Sequence, residues 1–263
     1  MEKKIVFFDI DGTLIDTTNY TIPQSAIDAI HQAQANGHVL IVNTGRPSVA
    51  VDSILREVGF DGYICGCGTY IEYKNEVIFH KTLEEDKRKE ILENLYKYNM
   101  QGMVEGTEGV YFRTGGKHPF FIESYEYYEE QGFPISYFQE GDLPPFDKFV
   151  VFYNNVEDDV ESFRKFAEKD FALIQRSDTF IELIPKPYTK ATGIQFLLDY
   201  LGMSLEQTIS IGDSTNDFPM LTYTKESIAM GNSNPLLFDK VTYITTDIDK
   251  DGVKNALKHF GLI

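Results

Sequence analysis

The stretch Phe7-Phe8-Asp9-Ile10-Asp11-Gly12-Thr13-Leu14 decides how this chain is read. The apolar run from Ile5 to Phe8 leads straight into two carboxylates and a glycine. A short unbroken apolar run reads as a strand buried on both faces, the kind found in parallel sheets. In an open α/β sheet the ligand crevice lies at the carboxyl ends of such strands. Asp9 and Asp11 are two residues apart, so both can turn toward one point at the strand end. Gly12 lets the chain leave in a conformation that other residues avoid. Asp-x-Asp-Gly is also an ordinary turn composition, so the weight falls on partners elsewhere in the chain.

Those partners lie at further strand ends. Val39 to Val42 is a second buried run, ending in Asn43-Thr44-Gly45-Arg46. Thr44 there faces the start of a helix, where backbone N–H groups favour anions, although Ser and Thr also cap helices everywhere. Thr208 to Ile211 is a third run, ending in Gly212-Asp213-Ser214-Thr215-Asn216-Asp217. Between the runs the sequence predicts helices over Pro23 to Gln34, Ser48 to Val58 and Thr189 to Leu201. Strand alternating with helix is the pattern of a parallel sheet with right-handed crossovers. The fold class is therefore α/β, a Rossmann-like parallel sheet core.

The middle of the chain has a different texture. After about Thr82 it is rich in Tyr, Phe and Glu. Strands are predicted over Gly102 to Glu105, Val110 to Arg113, Phe149 to Tyr153, Ala172 to Gln175 and Phe180 to Ile184. Helices are predicted over Leu83 to Tyr98, Phe120 to Gln131 and Val156 to Lys169. We read 83–187 as an inserted α/β domain closed by Pro185-Lys186-Pro187, with 1–82 and 188–263 as the core. In the core, Thr69 to Tyr73 and Glu76 to His80 read as a hairpin, and Gly252 to Phe260 as a last helix.

Bulk composition narrows the class. The chain has 263 residues, 42% hydrophobic, enough for one large or two modest domains. A formal net charge of −17 argues against nucleic acid or an anionic membrane as partner. It also means that an anionic substrate needs local positive charge at its site. No apolar run is long enough to cross a bilayer. Met1-Glu2-Lys3-Lys4, with only a short apolar stretch between it and the acids, makes a poor signal peptide, so a cytoplasmic location is expected. Cys65 and Cys67 are one residue apart, a spacing that strains a disulfide; two reduced thiols are expected.

Carboxylates on two strand ends make an oxygen-only pocket suited to Mg²⁺. Lys190, at the start of a helix, and Thr44 add a cation and a hydroxyl. Together they describe a place for a phosphoryl group held by metal, lysine and backbone N–H groups.

Asp9-Ile10-Asp11-Gly12-Thr13, Thr44-Gly45-Arg46, Lys190-Ala191-Thr192-Gly193 and Gly212 to Asp217 resemble, in order and spacing, the four motifs of the haloacid dehalogenase superfamily of phosphatases. Ala229-Met230-Gly231-Asn232 and Asp251-Gly252-Val253 resemble its Cof-like branch, whose large α/β cap is inserted between the second and third motifs, where 83–187 lies. The resemblance implies Asp9 as nucleophile, forming an aspartyl-phosphate, and Asp11 as the acid and base. It implies Mg²⁺ held by Asp9, the Asp11 backbone carbonyl and Asp213. It implies phosphate contacts from Ile10, Thr44, Gly45, Lys190 and Asn216, with Asp217 supporting the metal or Lys190. The presence of Asp11 points to phosphate esters, because relatives that cleave carbon–halogen bonds lack that residue.

Two departures stand out: Cys67-Gly68 where many relatives have Asn-Gly, and Asn43 before Thr44 where a small residue is usual. The implied partner is a small phosphorylated metabolite, a sugar phosphate foremost, acted on by a monomer or weak homodimer. Arg46, Lys117 and His118 are candidates for contact with the leaving group. A phosphomutase of the same superfamily, or a regulatory binding protein on the same fold, are the alternatives.

Overall fold

The structure is a computed structural model that describes residues 2–154, 156 and 158–263. Strand β1 is Ile5–Phe8, and all four residues are buried. Helix α1 (Gln24–Ala35) comes next, burying Ala26, Ala29, Ile30 and Ala33 at helical spacing. It leads to β2 (Val39–Asn43), which is again fully buried. The helix expected over Ser48 to Val58 is not continuous. A 3₁₀ turn, Ser48–Ala50, gives way to extended Val51 and then to α2 (Ser53–Val58). Arg46 accounts for the break: its guanidinium donates to the Ala50 carbonyl at 3.2 Å and pairs with Asp52 at 2.6 Å. Next come β3 (Gly62–Cys65), β4 (Tyr70–Tyr73) and β5 (Glu76–His80). Lys74 and Asn75 join the last two, both with positive φ, as a two-residue hairpin turn requires.

The inserted segment runs α3 (Glu85–Lys97), β6 (Gln101–Glu105), β7 (Val110–Arg113), α4 (Pro119–Glu130), β8 (Ile135–Phe138), β9 (Lys148–Phe152), α5 (Val160–Ala167), β10 (Phe171–Ser177) and β11 (Phe180–Pro185). Strand β8 has no counterpart among the strands expected from sequence. Helix α5 starts later than Val156, because Asp159 caps it by accepting from the Ser162 N–H at 3.2 Å. Val156 itself lies in a turn, and Glu157, within the expected helix, lies outside the described residues. The chain then completes the first sheet with α6 (Lys190–Leu201), β12 (Thr208–Gly212), α7 (Phe218–Leu221), β13 (Glu226–Ala229), β14 (Tyr243–Ile244) and α8 (Gly252–His259).

These elements divide into two compact units, 1–45 with 53–79 and 189–263, and 46–52 with 80–188. In the first, the strand order is β14-β13-β12-β1-β2-β3-β4-β5. Strand β1 pairs in parallel with both β2 and β12. The chain leaves β1 on one side and returns on the other, so a topological switch point lies beside β1.

The second unit has a six-stranded sheet ordered β10-β11-β9-β6-β7-β8. Strand alternation sends Phe149 and Val151 of β9 into a core with Ile91 and Leu95 of α3 and Phe163 of α5. Val150 and Phe152 meet Met103, Phe121 and Ala50 on the other face. That face also buries an ionic cluster. Lys148 Nζ lies 2.5 Å from Glu105 and 2.9 Å from Glu182, and Tyr128 donates to Glu105 at 3.2 Å. Removing one member of a buried ion pair strands the other charge. Lys148→Met is therefore expected to destabilise the second unit by about 3–5 kcal/mol, read as a lowered denaturant midpoint. A change within about 0.5 kcal/mol, the range of surface substitutions, would show that the cluster does not bear on stability.

Candidate active site

The site is assembled where strands of the first sheet end. The Asp9 N–H donates to the Ile211 carbonyl at 3.0 Å, which carries the β1–β12 ladder one residue past β1. Asp213 comes directly after β12, and Thr44 directly after β2, with its N–H on the Ile64 carbonyl at 2.8 Å. Helix α6 opens on a capping box between Thr189 and Thr192. Its first turn packs against Gly66–Gly68 at backbone distance. A Cβ on Gly193 would lie 2.5 Å from Ile64, and one on Gly68 would lie 2.4 Å from the Thr189 carbonyl. This close approach carries Lys190, the first residue of α6, into the interior, where it is 1% exposed.

Lys190 Nζ lies 2.5 Å from Asp9 Oδ1 and 2.6 Å from Asp217 Oδ1. The other oxygen of Asp217 accepts from the N–H groups of Asp213 and Ser214, each at 3.1 Å. Asp217 makes no side-chain cap on α7; it turns back to hold the lysine and the loop after β12. Asp213 rests against the loop after β1. Thr13 Oγ1 donates to its Oδ1 at 3.3 Å. Gly12 has φ +82°, and a Cβ there would lie 2.4 Å from Asp213 Oδ2, so only glycine fits. Asn216, in the same loop as Asp213, accepts from the Ser214 hydroxyl.

The charges are unbalanced. Asp9, Asp213 and Asp217 each offer an oxygen within 4.8 Å of the others, with Lys190 between two of them. Burial, then the Asp217 charge, push Asp9 up to about 7 against the pull of Lys190. Burial, then Asp9 and Asp217, push Asp213 up to about 8. Burial alone would discharge Lys190, but Asp217 and Asp9 outweigh it and keep the ammonium protonated well above its ordinary range. Hard carboxylate oxygens with an excess of negative charge fit a divalent cation. The Asp11 side chain is outside this trio; its backbone is bridged to Ile15.

A family profile for haloacid dehalogenase-like hydrolases matches residues 6–257. This chain belongs to the haloacid dehalogenase-like hydrolase family. The enzyme class expected from the sequence, a phosphoric monoester hydrolase of haloacid dehalogenase type, stands with it. YkrA of Bacillus subtilis, a putative phosphatase by name, is 28% identical over 270 residues, covering all of both chains. The 5-amino-6-(5-phospho-D-ribitylamino)uracil phosphatase YitU of the same organism is 25% identical, covering 99% of each. The solved structure of the subclass IIB sugar phosphatase BT4131 superimposes with a TM-score of 0.84 at 26% identity, covering 99% of this chain and all of that one.

Within this haloacid dehalogenase-like core, three polar side chains extend the set read from sequence. Asn43, the departure before Thr44, is buried and donates to the Lys190 carbonyl at 3.1 Å, tying β2 to α6. Thr13 is the second, through its bond to Asp213. Asn232 is the third, donating to the Gly12 carbonyl at 2.8 Å. Its signal was its place after a strand end, the same place that holds Asp9, Thr44 and Asp213. Cys67 takes a left-handed conformation, φ 55°, with its N–H on the Thr44 carbonyl at 3.0 Å. Both cysteines are buried and unbridged, and burial pushes the Cys65 thiol up to about 12.

The remaining candidates belong to the second unit. Arg46 pairs with Asp52 and lies over the Tyr127 ring, 5.7 Å from its centroid. The Lys117 and His118 N–H groups both donate to Gln101 Oε1, at 2.6 and 2.7 Å. The His118 ring meets Thr179 Oγ1 at 3.0 Å.

The raised carboxyls give a signed pH dependence. Without metal, folded Asp9 and Asp213 keep protons that the unfolded chain releases near 3.8. Their stabilising contribution is then fully present only below that pH and is lost as pH rises through about 7 to 8. In EDTA the melting temperature is expected to fall between about pH 5 and pH 8, less steeply in Asp213→Asn, and Mg²⁺ is expected to restore the wild type at the upper end. Identical profiles for the two proteins, with no Mg²⁺ response, would refute this electrostatic account.

Proposed function

We propose that this chain is a Mg²⁺-dependent phosphatase of small phosphate monoesters, sugar phosphates foremost, with the phosphoryl group carried transiently on Asp9. The observation that carries the reading is the buried Lys190 between Asp9 and Asp217, with Asp213 beside them, at the carboxyl ends of β1 and β12. Lys190 binds Asp9 through Oδ1 and leaves Oδ2 as the oxygen to attack phosphorus. The new bond joins that oxygen to phosphorus, and the bond to the ester oxygen breaks in line with it.

Asp11 gives the departing oxygen its proton. The same carboxylate then takes a proton from water, which attacks phosphorus and releases Asp9. The N–H groups of Ile10 and Gly45, the Thr44 hydroxyl, Asn216 and Lys190 hold the phosphoryl oxygens as charge builds on them. Asp9, Asp213 and the Asp11 carbonyl would hold the Mg²⁺, which supplies charge neutralisation at the phosphoryl group. Lys190 favours the ionised form of Asp9 and orients it, while Asp217 holds Lys190 and keeps the Asp213 loop in place.

Substrate choice is assigned to the inserted residues 83–187, with Lys117 and His118, and with Arg46. Support for a phosphorylated polyol or sugar comes from the names of two relatives, the phosphoribityl phosphatase YitU and the sugar phosphatase BT4131. The net charge of −17 fits a small metabolite, rather than a polyanion, met in the cytoplasm by a monomer or weak homodimer.

The test is phosphate release from p-nitrophenyl phosphate and a sugar-phosphate panel, in Mg²⁺ and in EDTA. Wild type is expected to release phosphate only with Mg²⁺, and Asp9→Asn to fall to background. Asp11→Asn is expected to lose about 10²–10⁴-fold, the worth of a positioned acid and base. Turnover that survives EDTA or Asp9→Asn defeats the reading. Phosphoryl transfer to substrate that needs an added hexose bisphosphate would replace it with a mutase.

A further inference from the structure

The segment after β13 is hydrogen-bonded to both loops that flank Asp213, the one after β12 and the one after β1. The Met230 N–H and the Ser233 hydroxyl donate to the Gly212 carbonyl at 3.0 and 3.3 Å. The Asn234 N–H donates to the Asp213 carbonyl at 2.8 Å. Residues 230–234 therefore fix the backbone that carries Asp213. The Gly231 N–H donates to the Thr246 carbonyl at 3.1 Å, and a Cβ on Gly231 would collide with Asp247 at 2.3 Å, so this segment also interlocks with the loop before α8.

Asn232 supplies the remaining connection. Its Nδ2 donates to the Gly12 carbonyl at 2.8 Å, and its Oδ1 accepts from the Ile248 N–H at 2.9 Å. One partner is a pure acceptor and the other a pure donor, so the amide has a single orientation, and a carboxylate, which cannot donate, does not reproduce both bonds. Gly12 is the residue against which Asp213 Oδ2 is packed. The same residue comes directly after Asp11.

We infer that Asn232 is a positioning residue for metal binding. By holding the Gly12 carbonyl from the 230–234 segment, it sets the spacing between the Asp11–Gly12 backbone and the Asp213 carboxylate. Its side chain is exposed, so removing it opens no cavity and leaves the core packing intact. The inference rests on the proposed function for the metal and for the Asp11 carbonyl as one of its ligands.

The experiment is a Mg²⁺ titration of wild type, Asn232→Ala and Asn232→Asp, followed by thermal midpoint, with p-nitrophenyl phosphate turnover measured in parallel. Partners that orient metal ligands are worth about 10–100-fold in metal affinity. The half-effective Mg²⁺ concentration is expected to rise by about that factor in both variants, with metal-free midpoints close to wild type and turnover recovering at saturating Mg²⁺.

Asn232→Asp is the decisive variant. It keeps an acceptor for Ile248 and adds a negative charge, so simple attraction would tighten Mg²⁺, whereas loss of the Gly12 bond weakens it. Wild-type-like or tighter Mg²⁺ dependence in Asn232→Asp overturns the inference. A lowered metal-free midpoint with unchanged Mg²⁺ dependence in either variant also overturns it, making Asn232 a brace of the fold alone. Wild type that responds to Mg²⁺ but releases no phosphate defeats the reaction and leaves this inference standing; wild type with no Mg²⁺ response defeats the inference.

Discussion

A lysine side chain with 1% exposure sits between two carboxylates, Asp9 at 2.5 Å and Asp217 at 2.6 Å. Moving a charge of this kind out of water costs several kcal/mol per ion, which attraction offsets only where geometry is good and the remaining hydrogen bonds are made. Here they are made. Asp217 gives its second oxygen to the N–H groups of Asp213 and Ser214. The lysine is brought inward by glycines, Gly68 and Gly193, that let helix and loop meet at backbone distance. Asn43 then ties the carbonyl of the same lysine to the end of β2. Much of the local sequence around α6 is thus explained by the need to bury one ammonium in a fixed place.

The sheet topology supplies the rest. Neighbouring parallel strands end side by side, so β1 and β12 deliver Asp9 and Asp213 to one spot, and β2 delivers Thr44 beside them. The strands are buried throughout and set where each loop begins. The loops are then held by contacts too close for a side chain, as where Gly12 meets Asp213. Negative charge accumulates faster than Lys190 can compensate it. That imbalance gives the site its demand for a cation, and it is a property of spacing more than of any single residue.

The strands that position the site were legible because burial on both faces leaves an unbroken apolar run, as in Ile5–Phe8, Val39–Val42 and Thr208–Ile211. The acidic residues at their ends were legible from motif order. What sequence did not carry were contacts made across long separations by ordinary polar residues. Asn43 reaches Lys190 and Asn232 reaches Gly12; each is marked in the sequence by its place at a strand end, but nothing local names the distant partner of either. The helix expected over Ser48 to Val58 failed for a similar reason. Its helical periodicity is real, but Arg46 captures the Ala50 carbonyl and Asp52, and Val51 is drawn straight. Strand β8 was missed because Tyr137 and Ser136 are exposed on an edge, and a short edge strand has little apolar pattern to read.

Residues 46–52 belong to the unit formed by 80–188, although they come directly after Thr44-Gly45 in the chain. Ala50 is buried there, against the sheet face that holds Met103, Val150 and Phe152. The backbone consequently passes from one unit to the other at 45/46, 52/53, 79/80 and 188/189. An insert exchanged between relatives as one continuous block would leave this strip behind, with a gap where Ala50 packs. The same holds as the chain is synthesised: the strip emerges well before the sheet that receives it and must wait for its partner. The second unit is therefore not a portable module. Whatever diversifies it in evolution has to change two separate stretches of sequence together, one of them adjoining Thr44 and Gly45, the residues proposed to bind phosphate.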